Sequence, residues 1–317
     1  MTATNGKARP AADVAQRART IRGRLGTAWP YEPHFHHAGG GWMHYVDEGP
    51  RDAPVLLCLH GNPSWGFLYR RLVAAFSGSY RVVVPDHLGC GLSECPRGWR
   101  YDLCGHIDNL EHLVRSLDLG ELTLILHDWG GAIGMGMAVR HPVRVARVVV
   151  LNSAAFPFSR MPWRIRVARA PLLGRLAVQG LGLFNRGAVR TAVARPLTGE
   201  ARAGYLAPYG SWAEREAVWR FVEDIPMGVH AHSWPALVEI ADGLSRFASR
   251  PACLIWGERD WCFTPAFARR WREFWPRAEA EMIAGAGHWL TEDEPDEVVA
   301  RLGSFLERHP LPSEAPA

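Results

Sequence analysis

No run of eighteen or more apolar residues occurs in this chain of 317 residues, which excludes a membrane-spanning helix. The first thirty residues lack the apolar middle of a secretion signal. They carry Lys7, Arg9, Arg17, Arg19, Arg22 and Arg24 and read as a solvated tail, residues 1–30. The six cysteines, at 58, 90, 95, 104, 253 and 262, have no metal-ligand spacing. Two of them, Cys58 and Cys253, sit inside apolar runs, so the set reads as reduced thiols of a cytoplasmic protein. A strong charge of either sign is also missing: the net charge of +4 is spread along the chain and argues for no nucleic-acid partner. Internal repeats and low-complexity segments are absent. What is there is 48% hydrophobic residues and fourteen tryptophans, enough to bury a full core as one large domain or a domain with an insert.

Apolar runs suited to buried strands recur at 55–59, 82–85, 122–126, 145–151, 252–256 and 280–283. Between them lie helical periods such as Leu103, Ile107, Leu110, Val114 and Leu117, which fall on one face. Strand and helix in alternation predict an α/β fold, a mostly parallel sheet covered on both sides. Residues 42–47 alternate instead and predict an antiparallel edge strand. The rhythm stops between 156 and 248, a stretch with Pro, Trp and Arg but no clear strand. A discontinuous core, 31–155 and 249–317, with a helical cap set in at 156–248, is the expected organisation.

Function in an open parallel sheet gathers in loops at the carboxyl ends of strands, and four such loops carry reactive residues. After Leu59 comes His60-Gly61-Asn62-Pro63-Ser64-Trp65. After Leu126 comes His127-Asp128-Trp129-Gly130-Gly131, a strand, sharp turn and helix shaped like a nucleophile elbow, Gly-x-Ser-x-Gly. Here Leu126 stands for the first Gly and Asp128 for the Ser. After Trp256 comes Gly257-Glu258-Arg259-Asp260, and after Ile283 comes Gly285-Ala286-Gly287-His288-Trp289. A lone Asp after a strand is commonly a helix cap, and a lone Gly-x-Gly-His is commonly a turn. Nucleophile, acid and His in that order after separate strands make Asp128, Asp260 and His288 a candidate catalytic set.

With this set the chain resembles the α/β-hydrolases that use an Asp nucleophile, the haloalkane dehalogenases and epoxide hydrolases, over about Pro30 to Leu306. The resemblance implies an eight-stranded, mostly parallel sheet with an inserted cap. It also implies that Asn62 and the Trp129 indole hold a leaving group, whereas epoxide hydrolases usually place a bulky apolar residue where Asn62 stands. Pro85-Asp86-His87-Leu88-Gly89-Cys90-Gly91-Leu92-Ser93, Leu151 to Pro157, Tyr205 to Tyr209 and Arg220 to Pro226 look more closely like the β-lactone decarboxylases of bacterial long-chain olefin biosynthesis. These open a cis-3,4-dialkyl β-lactone to a cis-olefin and carbon dioxide. Haloalkane hydrolysis is the second reading and epoxide opening a weaker third. A scaffold without activity is disfavoured because such proteins generally lack a triad member.

An Asp suits each of these chemistries. Its attack on a carbon bearing a leaving group forms an enzyme ester and splits one hard step into two. N–H donors at Asn62 and Trp129 would then hold the departing charge, and His288, oriented by Asp260, would activate water or tune Asp128. No cofactor or metal is called for. Trp65, Phe156, Tyr205, Tyr209 and Trp289 are candidates to line a pocket for a hydrophobic substrate with two alkyl chains. From 156 to 199 there are eight Arg and no Asp or Glu, interleaved with apolar residues. A solvated helical face is the plain reading. A basic amphipathic surface that docks on the inner membrane face, or on other enzymes of the olefin pathway, is the sharper one.

Overall fold

The computed structural model describes residues 10–158 and 161–311. Eight strands form one sheet: β1 (His34–Ala38), β2 (Gly41–Glu48), β3 (Val55–Leu59), β4 (Arg81–Pro85), β5 (Leu122–Asp128), β6 (Val145–Ser153), β7 (Ala252–Gly257) and β8 (Glu279–Ile283). Their order is β1-β2-β4-β3-β5-β6-β7-β8. The pairs β1·β2 and β2·β4 are antiparallel and the others parallel. The runs β3 and β5 are buried on both faces, as continuous Val/Ile/Leu sequences in a covered parallel sheet should be. This is the α/β-hydrolase fold, as expected.

Two expectations need correction. Residues 42–47 lie in β2, which is not the edge: β1, His-Phe-His-His-Ala, pairs outside it. Three of its five residues are His and its apolar residues do not alternate, so periodicity could not reveal it, although Phe35 and Ala38 pack on the core and its His rings lie against β2. The described part of the amino-terminal segment is not a solvated tail either. Helix α1 (Ala12–Leu25) buries Val14, Ala18 and Ile21, spaced four and three apart on one face. Arg17 from the same helix reaches Glu214 at 2.8 Å and the Pro208 carbonyl at 2.7 Å. Residues 1–9 of that expected tail lie outside the described residues.

Between the end of β6 and the start of β7 the described residues form helices and turns and no strand. This segment covers the carboxyl edge of the sheet, where the candidate loops collect. Beneath it run helix α2 (Arg70–Phe76), helix α3 (Leu103–Ser116), capped by the Asp102 carboxylate on the Gly105 N–H, and the elbow helix α4 (Trp129–Arg140).

Candidate active site

Asp128 ends β5 and starts the turn into α4 with φ 51° and ψ −125°, a region that side chains rarely enter. Such strain persists where the surroundings fix it and aims the side chain out of the sheet. The elbow works without the usual first glycine because space is made elsewhere. A Cβ on Gly134 would lie 2.5 Å from the Leu126 side chain, so α4 supplies the room that Leu126 takes up. A Cβ on Gly130 would lie 2.0 Å from the Leu59 carbonyl oxygen, so the turn also depends on a glycine there.

The two Asp128 oxygens differ. The Asn62 backbone N–H donates to Oδ1 at 2.6 Å, while Oδ2 faces His288 Nε2 at 3.7 Å. His288 Nδ1 in turn is 2.8 Å from Asp260 Oδ2. Asp260 is fixed by three further donors: the Asn152 amide at 2.7 Å and the backbone N–H groups of Cys262 and Phe263 at 2.6 and 3.0 Å. The structure therefore brings Asp128, His288 and Asp260 together in one buried line. Asn152 was missed in the sequence; its only signal was its place at the carboxyl end of a central strand. His127, also unassigned, bonds the His288 carbonyl oxygen at 2.9 Å and packs its ring on the His288 ring.

The charges follow from these contacts. Burial pushes the Asp128 carboxyl above the usual carboxylate range, against the pull of His288 and of the Asn62 and Trp129 backbone N–H groups. Burial would lower His288, but the Asp260 and Asp128 carboxylates outweigh it and hold its proton above the usual imidazole value. Burial likewise opposes Asp260, yet His288, the Asn152 amide and the Cys262 N–H keep it below the ordinary range. Asp260 is thus the permanent anion and His288 the proton holder.

A cavity of about 610 Å³ opens over this line, with Asn62, Asp128, Trp129 and His288 in its floor. Phe156, Phe184, Leu237 and Phe263 are among the side chains that give it apolar walls. Asn62 and Trp129 thus face the same space as Asp128. The Asn62 amide also donates one N–H to the Val218 carbonyl at 3.1 Å, so one of its two N–H groups is already engaged.

Of the five candidate pocket residues, only Phe156 lines the cavity. The other four are corrected. Trp65 is fully buried and donates from its indole to the Gly204 carbonyl at 3.1 Å. Tyr205 donates to Glu292 at 2.7 Å and stacks on Trp289 with ring centres 4.1 Å apart. Tyr209 donates to the Ser64 carbonyl at 2.9 Å. Tyr205 lies in a helix that ends at Leu206, and Tyr209 stands beyond it, so their spacing of four does not place both rings on one face. These rings pin the cap to the core instead.

Residues 54–295 match the α/β-hydrolase fold family. A cis-3-alkyl-4-alkyloxetan-2-one decarboxylase of Shewanella oneidensis is 40% identical over 289 residues, 89% of this chain and 90% of the relative. The protein of the same name in Xanthomonas campestris pv. campestris is 41% identical over 280 residues, 85% of this chain and 93% of the relative. Haloalkane dehalogenase 2 of Mycobacterium tuberculosis is 32% identical over 278 residues, 86% of this chain and 94% of its own. A crystal structure of a haloalkane dehalogenase from Bradyrhizobium elkani superposes with a TM-score of 0.79 at 24% identity, over 87% of this chain and 99% of that one, which speaks to the fold. The chain belongs to the α/β-hydrolase family, in the group that holds the cis-3-alkyl-4-alkyloxetan-2-one decarboxylases.

Proposed function

We propose that this protein is a β-lactone decarboxylase that converts a cis-3-alkyl-4-alkyloxetan-2-one to a cis-olefin and carbon dioxide, as a step in long-chain olefin biosynthesis. The observation that carries the reading is the 40–41% identity to two decarboxylases along nearly their whole length. The site supports it chemically. With Oδ1 tied down, Oδ2 of Asp128 is the oxygen free to attack, and the apolar cavity suits alkyl chains. In this route Oδ2 displaces the ring oxygen at the alkyl-bearing carbon with inversion, and the ring opens to a carboxylate. Asn62 and Trp129 hold that developing charge. The carbon–carboxylate bond then breaks anti to the new ester, its electrons form the double bond, and the Asp128 carboxylate leaves. Inversion followed by anti elimination gives a cis-olefin from a cis-lactone, and no water is consumed. His288 sets the protonation and placement of Asp128.

Haloalkane hydrolysis is the second reading, because the Asn62 and Trp129 pair at the cavity floor would serve a halide equally well. The two differ in what happens to the ester. The purified enzyme is incubated in heavy-oxygen water with a cis-dialkyl β-lactone, and separately with a bromoalkane, while olefin, carbon dioxide and bromide are measured. The proposal expects olefin and carbon dioxide in equal amounts, and an Asp128 peptide that stays unlabelled. Bromide release without olefin from the lactone would overturn it. Label gained by Asp128 with each olefin formed would exclude the water-free exit.

A further inference from the structure

The cap carries a surface that the chemistry above does not use. Leucines and tryptophans there stand in solvent: Leu172 is 84% exposed, Leu173 75% and Trp163 69%, with Val167, Leu176, Leu181 and Leu183 each more than half exposed. Leu172 sits at the tip of a tight turn with φ 59° and ψ −62°, closed by the Leu173 N–H on the Pro171 carbonyl at 2.6 Å. This is the rarer hand of γ-turn, strained for a leucine, and it holds an apolar side chain outward.

The same stretch is cationic. Arg164, Arg166, Arg169, Arg175, Arg186 and Arg190 have no acidic partner among the described residues, and residues 161–199 contain no Asp or Glu. Further along, Arg195 is paired, with Glu294. Guanidinium groups without a counter-charge beside exposed leucines form neither a solvated polar face nor the interior of a core. Single exposed apolar residues are ordinary, but seven large ones within residues 163–183 call for a use.

The patch also coincides with the way in. Arg164, Val167, Leu173 and Leu183 are exposed, yet all four line the cavity above Asp128. The apolar cavity therefore reaches the surface through the basic, leucine-rich patch. We propose that this patch docks on an anionic lipid bilayer, with leucines entering the acyl boundary and arginines meeting the headgroups, so that the cavity opens directly into lipid. Charge complementarity and exposed apolar side chains around one opening select this occupant, because a bilayer supplies both chemistries at once. Resting on the proposed activity, a substrate with two alkyl chains then passes from lipid to Asp128 without entering water.

The test is co-sedimentation of the full chain with vesicles of phosphatidylcholine, with and without thirty per cent phosphatidylglycerol, at low and high salt. Binding is read without turnover, so its failure is separate from a failure of the proposed activity. Partition into anionic vesicles is expected at low salt and should be lost at high salt, as screening requires. Replacing Arg166, Arg169 and Arg175 by Gln should weaken it by about two orders of magnitude. Leu172→Asp should weaken it as well. None of these four residues lines the cavity, so decarboxylation of a detergent-dispersed lactone should be unchanged while turnover of vesicle-borne lactone falls. No partition at low salt would overturn the proposal, as would binding that the substitutions leave intact. Concentration-dependent dimers abolished by Leu172→Asp would overturn it too, by assigning the patch to a second copy of this chain.

Discussion

Because the Asn62 backbone N–H fixes Asp128 Oδ1, the roles of Asn62 can be separated by substitution. Asn62→Ala keeps the backbone donor and removes the side-chain amide that faces the cavity. Trp129→Phe keeps the bulk and removes the indole N–H. Loss of one such donor typically costs about 10²–10³ in rate, and each variant should lose turnover on that scale with the fold intact. Rates within a few-fold of wild type in both would show that the pair only packs. The charges at the site make a second expectation. The His288 cation pulls the Asp128 carboxyl down against burial, so removing it should raise Asp128 further. The acid limb of kcat/KM, which reports the site as a coupled whole, should therefore move to higher pH in His288→Gln. A limb that stays in place, or moves down, would mean that His288 does not set the charge of Asp128.

At the scale of elements, the loop carrying His288 is held from two sides. From the core, His127 grips the His288 carbonyl at 2.9 Å. From the cap, the Ala192 carbonyl accepts the Trp289 N–H at 2.7 Å. The buried Asp293 carboxylate joins the two sides: it accepts the Gly287 N–H at 2.7 Å, the Ala194 N–H at 2.8 Å and the Arg195 N–H at 2.9 Å. Cap position and His288 position are thus set by one side chain. Asp293→Asn puts an NH₂ against those donors. It should lower kcat by about 10²-fold, the cost of a misplacement near 1 Å, with a smaller change in KM. A change confined to KM would show that Asp293 shapes the cap and leaves the triad alone. What the sequence made legible follows the same division. Strands β3 to β7 could be read because apolar runs report burial on both faces, and β8, only partly covered, by its short apolar end. The triad could be read because it follows those strands in order. Asp293, Asn152 and the pinning roles of Tyr205 and Trp289 could not, because each depends on which distant backbone groups the folded chain brings near. The strand β1 escaped for a related reason: its His-rich residues find their ring partners on β2 only once the chain has folded, and they leave no apolar period.

Across the whole molecule, histidines string along the carboxyl edge of the sheet beneath the active site. His44 Nδ1 meets Asp86 at 2.8 Å. His60 accepts the His87 backbone N–H at Nε2 at 3.1 Å, and the His87 ring bonds the His60 carbonyl at 2.9 Å. His106 packs on His87 and lies flat on Phe221, which touches Trp129. Since His60 Nε2 accepts, His60 is neutral, and its Nδ1–H donates to the Gly61 carbonyl at 2.9 Å. Burial pulls His60, His87 and His127 below the usual imidazole value and takes His106 down to about 3. Below about pH 6.5 the unfolded chain takes up protons at these four positions while the folded chain does not. Stability present above that pH is therefore lost progressively as pH falls toward the folded values. Asp224, Asp128, Glu48 and His288 work the other way: burial lifts Asp224 to about 6 and raises Asp128 and Glu48, and the neighbouring carboxylates raise His288. The folded state gains those protons first, but the lowered imidazoles, which include His34 and His36, outnumber them. The melting temperature should fall between pH 7 and pH 5. His106 offers the cleanest check, since neither of its ring nitrogens has a protein partner among the described residues. His106→Phe keeps the stack on Phe221 and removes one titrating base. It should raise the melting temperature, by a margin that widens as the pH drops, and thermal scans across that range measure it. A margin that stays constant with pH would show that His106 is not among the groups that make the fold sensitive to acid.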